Sequence, residues 1–199
     1  MRSTTTAARS PHRHISSPQA ERTHALTHAG PVGRYDLLSR ALHWVFALVI
    51  IYASVVGYTL GHITNPALRN FLSHLNMSFA TVLIVLFPLR VFWRVKRQAP
   101  PPLPGISPWQ RRLAHGVHGL LYVTIGCVLA SGYLMVPNGY RFFGIITVPT
   151  PFARGPLTDA LFLLHRGACA VLASLVLLHV LAVIKHQAVA RLPILSRML

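Results

Sequence analysis

The sequence predicts an all-α protein, a transmembrane up-and-down four-helix bundle, and three observations carry that prediction. Its 199 residues are 53% hydrophobic and only 11% charged, with a mean hydropathy of +0.50, a composition foreign to soluble domains. Four apolar stretches of spanning length follow one another. The polar and proline-rich segments between them are too short to be domains.

The charge balance excludes some functions. Nineteen Lys and Arg stand against Glu21, Asp36 and Asp159, a formal charge of +16. In a soluble chain that excess would indicate nucleic acid. In a multispanning chain it is explained by the Lys and Arg that collect at the cytoplasmic ends of helices, so the expected surroundings are a lipid bilayer and no nucleic-acid partner. Cys127 and Cys169 fall inside apolar runs, which argues against a disulfide scaffold or a structural zinc site. With no CxxCH motif, any haem would be bound without covalent attachment.

Residues 1–33, rich in Ser, Thr, Arg, His and Pro, read as a disordered cytoplasmic tail without an apolar core of signal-peptide length. The membrane domain is expected over residues 34–190, and a cytoplasmic C-terminal tail over 191–199. Its first span covers about residues 37–60, with His43 near the start and Trp44 at interfacial depth. A short polar turn leads to the second span, about residues 71–93, opened by His74 and closed by Arg90, Arg94, Lys96 and Arg97. A stiff proline-rich link over residues 99–108 precedes the third span, about residues 113–136, which opens with His115 and His118. The loop over residues 137–156 mixes aromatic and turn residues and is expected to fold back over the bundle. The fourth span, residues 157–187, carries His165 and His179. Alternation of four spans puts fifteen of the 19 Lys and Arg on one side, which predicts both termini in the cytoplasm.

An ionisable side chain inside a spanning helix is costly and marks a functional site by default. His165 and His179 are fourteen residues apart, close to four turns, so they share one helix face about 21 Å apart along the axis. Metal coordination would satisfy a ring nitrogen that hydrocarbon leaves unpaired, and two such positions on one face suggest two stacked cofactors. Depth pairs His43 with His179 and His74 with His165, and imidazoles from facing helices of a bundle can clamp one haem iron from both sides. His115 and His118, on one helical face, are also level with His179, so position alone leaves two candidates for its partner. Arg40, Arg90 and Arg94 are placed to pair with anionic haem propionates or to snorkel to lipid headgroups. Gly57 and Gly132 are candidate points of close approach for a macrocycle or a neighbouring helix.

Several pieces together resemble the bacterial cytochrome b561 family of the inner (plasma) membrane. They are RYDLLSRALHW from Arg34, His74 on a helix ending in LRVFWRV, WQRRLAHGVHGLLY from Trp109, SGYLM from Ser131, NGYRFFGIITVP from Asn138, and the His165 to His179 spacing followed by VIKHQ. The resemblance implies a four-helix bundle holding two haem b groups, one between His43 and His179 and one between His74 and His165. It places His115 and His118 outside the axial ligands, near a haem propionate or quinone. Two positions depart from the family's usual pattern: Arg166 where an acidic residue is common, and Ser78 where Gly is common. The function implied is transmembrane electron transfer with a ubiquinone-type quinone, and a periplasmic donor that is superoxide or a protein. The alternatives are the cytochrome subunit of a larger oxidoreductase and a haem-free membrane scaffold.

Overall fold

The computed structural model describes residues 33–98, 100–101, 105–189, 191 and 194–199. The expected N-terminal tail lies outside these residues except for Gly33. Four helices follow in chain order: α1 (Leu37–Thr59), α2 (Pro66–Lys96), α3 (Pro108–Leu134) and α4 (Pro156–Ile184). Each is long and apolar enough to cross a membrane. A 3₁₀ turn, Leu60–His62, prolongs α1, and a π turn, Lys185–Val189, prolongs α4.

Local chemistry sets where the helices begin. Asn65 accepts from the Ala67 and Leu68 amides, and Pro66 occupies the first helical turn, where its missing N–H would be unpaired anyway. As a result α2 starts five residues before the position expected from hydropathy, and His74 sits eight residues inside the helix instead of opening it. The same logic advances α3. Ser107 and Gln110 form a reciprocal capping box with Pro108 in the first turn, so the end of the proline-rich link is already helical. His115 and His118 therefore lie about two and three turns inside α3.

The closest packing joins α3 to α4, α1 to α2, and α2 to α3. One apolar cluster draws on all four helices: Phe46 from α1, Leu83 from α2, Ile125 and Leu129 from α3, and Leu172 from α4. Leu172 is seven residues from both His165 and His179, so this plug stands between the two histidine levels.

The loop after α3 does fold back. It forms an antiparallel hairpin of β1 (Tyr140–Phe142) and β2 (Ile146–Val148), with Tyr140 opposite Val148. Gly139 has φ +80°, and a Cβ there would come 2.6 Å from the Val148 carbonyl oxygen, so only glycine fits this entry to the hairpin. Ser78, fully buried on α2, donates its hydroxyl to the His74 carbonyl at 2.8 Å and accepts the Phe143 amide at 2.8 Å. The Tyr140 and Thr81 hydroxyls meet beside it. The hairpin is thereby tied to α2 one turn from His74.

At the opposite end the two termini of the membrane domain are tied together. Arg197, although charged, is buried, and donates to the Gly33 carbonyl at 2.9 Å and the Pro101 carbonyl at 2.7 Å. Tyr35 N–H donates to the Arg197 carbonyl, and the Trp44 indole to that of Met198. Residues 194–199, expected as a tail, thus pack under the bundle.

Asp36 joins α1 to α2 at this end. Its carboxylate accepts from the Ser39 amide at 2.9 Å, the Ser39 hydroxyl at 2.7 Å and the Trp93 indole at 2.8 Å. Burial pushes the carboxyl up, but the hydrogen bonds from Ser39 and Trp93 outweigh it and hold the group below the usual carboxylate range. A depressed folded-state pKa gives stability that is present above the unfolded value, about 3.9, and is lost as pH falls through the folded value. Asp36→Ala is expected to cost about 1 kcal/mol at pH 7 through loss of the cap. The gap from the parent protein should narrow below pH 4, as read by thermal unfolding in detergent across pH.

Candidate functional site

The histidines predicted from the sequence fall at two levels of the bundle, His43, His118, His165 and His179 half-buried and His74 and His115 exposed. At the end that carries the termini, His43, His115 and His118 line one cavity of about 390 Å³ together with Arg90, Arg94 and Tyr122. The His118 and His179 rings meet edge to face with centroids 5.2 Å apart, and His43 lies within electrostatic reach of both. His115 Nδ1 is 2.7 Å from the Arg111 carbonyl and His118 Nδ1 is 2.6 Å from that of Ala114. Each ring thus satisfies one nitrogen on its own helix and leaves Nε2 free.

The cationic side chains here are held by aromatic rings. Arg90 stacks over Phe46 at 4.8 Å and Tyr122 at 5.5 Å, and Arg94 over Tyr122 at 4.6 Å. Quadrupole attraction of this kind strengthens where water is excluded. Arg40 and Arg90 each bury an Nε without a hydrogen-bond partner. Asp36, the acid nearest in sequence to this end, is already committed to Ser39 and Trp93. The cavity is therefore cationic and suited to carboxylates.

At the hairpin end, His165 faces α3. Its Nδ1 is 3.1 Å from the Val128 carbonyl and 3.2 Å from Ser131 Oγ, and its Nε2 is 3.4 Å from Cys169 Sγ. A carbonyl can only accept, so Nδ1 carries the proton and Nε2 the lone pair a metal requires. A Cβ on Gly132 would stand 3.0 Å from His165 Cε1; Gly132 is thus a true point of close approach, whereas Gly57 has open space around it. His74 is exposed and is not among the partners of the His165 ring. Ser131 and Cys169 escaped the sequence reading because a Ser or Cys in an apolar run has no signal of its own. Ser131 stood out in the sequence only as the first residue of the SGYLM motif, beside Gly132.

These features define a class: a membrane bundle with histidines from separate helices at two depths, the scaffold of a b-type cytochrome. Residues 34–199 match the prokaryotic cytochrome b561 family, and the chain belongs to that family. It is 28% identical over 171 residues to "Cytochrome b561 homolog 2" of Escherichia coli (strain K12), covering 83% of this chain and 91% of that protein. It is 24% identical over 169 residues to "Probable superoxide oxidase CybB" of Yersinia pestis, covering 83% and 96%. Membership implies b-type haem and electron transfer in the membrane.

The residues fit such a group. Among the helices α4 packs extensively only on α3, so its approach to α1 and α2, which carry His43 and His74, is not closed by helix packing. Five buried polar atoms among the described residues have no partner: Arg40 Nε, Arg90 Nε and Arg97 Nη1 toward one end, Tyr52 OH and Asn76 Oδ1 toward the other. Gly132→Ala is expected to push the His165 ring from its place against α3. Shifted His165 ring resonances in nuclear magnetic resonance would register that displacement, and Gly57→Ala, with space to spare, should leave them unchanged.

Proposed function

We propose that this protein moves electrons across the bilayer through two bis-histidine sites, exchanging them with the quinone pool. His43 and His179 hold one haem b at the end carrying the termini, and His74 and His165 hold the other at the hairpin end. The observation that carries this reading is the arrangement of histidines from different helices at two depths, with an apolar plug between them. Bound haem b supplies a one-electron iron couple at each level. Around it the chain holds the His165 Nδ1 proton against α3 and sets Arg90 and Arg94 at the terminal end. Two imidazoles holding one iron would leave no open position on it, which would favour electron transfer over oxygen binding.

Both termini are assigned to the cytoplasm and the hairpin to the periplasm of a bacterial inner membrane by the excess of Lys and Arg on the terminal side. The quinone partner is placed at the cytoplasmic end, where His115 and His118 offer free Nε2 atoms. The hairpin side carries exposed Arg69, Arg141, Arg154 and Arg166, with Asp159 as the one acid there. Such a field raises the local concentration of a small anion, which supports superoxide as the donor oxidised at this face. A second reading, the cytochrome subunit of a larger oxidoreductase, is favoured by the exposed apolar hairpin residues Ile145 and Ile146. A dehydrogenase co-purifying in fixed proportion would establish it.

Purified protein should contain two haems per chain by the pyridine haemochrome assay. His74→Ala or His165→Ala should remove one and leave the other, and a parent protein with a single haem defeats the reading. Haem reduction by superoxide should slow with added salt, and several-fold in Arg141→Gln plus Arg154→Gln. A rate indifferent to both salt and substitution would rule out steering.

A further inference from the structure

Ser131 is almost fully buried on α3, and its hydroxyl does two things at once. It donates to the Cys127 carbonyl at 2.6 Å, one turn back on its own helix, with the Val128 carbonyl at 3.3 Å also within reach of that proton. With its proton spent there, the oxygen can only accept from the third neighbour, His165 Nδ1, at 3.2 Å. The Val128 carbonyl accepts from the same N–H at 3.1 Å, so the imidazole proton is shared between two oxygens of α3. Gly132, the next residue, clears the space for the ring edge. Residues 128, 131 and 132 therefore form a socket that fixes the tautomer, the tilt and the electron density of one imidazole.

We infer that Ser131 is a positioning residue that lowers the reduction potential of the hairpin-end haem by drawing on the His165 Nδ1 proton. This rests on the proposed reading of His165 as an axial ligand. An acceptor at Nδ1–H gives the ring partial imidazolate character and makes Nε2 a stronger donor, which favours the higher charge on iron. A backbone carbonyl cannot be removed by substitution, but the Ser131 oxygen can, so it is the adjustable half of the pair. Among the described residues no hydroxyl hydrogen-bonds the His43 or His179 ring, the ligands proposed at the other level, so the effect of Ser131 falls on the hairpin-end haem alone.

The test is a potentiometric titration of the full-length protein with both haems bound, comparing the parent with Ser131→Ala, Ser131→Val and Ser131→Thr. Val and Thr share a shape and differ in the hydroxyl, which separates hydrogen bonding from packing. The expected result is an upward shift of one of the two haem transitions in Ala and Val, the other staying in place, with the parent value restored in Thr. The g-values of the same haem should change in parallel. Equal potentials in Val and Thr, or equal movement of both transitions, would overturn the role of Ser131. His165→Ala protein that keeps two low-spin haems would overturn the ligand assignment beneath it, and the two failures are distinguishable by haem content.

Discussion

Inside a bilayer no water is available to rescue an unpaired polar atom, so every such atom must find its partner within the protein. Along these helices the usual partner is the carbonyl four residues back. Thr59, Ser78, Thr81, Thr124, Ser131 and Ser174 all donate to it, and His115 and His118 meet it through Nδ1. A hydroxyl held this way costs the membrane little and keeps two accepting lone pairs, one of which is enough to hold a further donor. Ser78 uses one to hold the hairpin, and Ser131 uses one on His165. Arg40, Tyr52, Asn76, Arg90 and Arg97 each keep a buried polar atom without a partner.

Much of this was legible in the order of residues. The four spans were, because hydropathy over some twenty residues is a strong signal. The family was, because His43, His74, His165 and His179 came with flanking motifs in a fixed order. The helix starts were not, because hydropathy is blind to a capping side chain. Asn65 with Pro66 and Ser107 with Pro108 extend the helices into polar and proline-rich sequence, and that extension carries His74, His115 and His118 away from the helix mouths. The return of the loop after α3 was expected, but its tether was not. Ser78 stood out only as a replacement for a glycine, and nothing in the sequence placed its hydroxyl against the Phe143 amide.

The contacts of His179 show where positional reasoning ends. Depth allowed it either His43 or the His115 and His118 pair. In the structure the His118 ring lies against it, and His43 lines a cavity with His115 and His118. The His118 and His179 rings meet because α3 and α4 bring them to the same depth on facing sides, a coincidence of register that no single span contains.

The plug of Phe46, Leu83, Ile125, Leu129 and Leu172 has a consequence for what can cross. Hydrated ions and protons need a file of water or exchangeable hydrogens, and five interlocked hydrocarbon side chains at mid-depth offer none. Electron density is not stopped by such a wall, since it decays through bonded and packed matter over distance without requiring solvent. Under the proposed function the bundle would act as a selective barrier, open to electrons and closed at this level to hydrated ions, and each electron passing alone would change the voltage across the membrane.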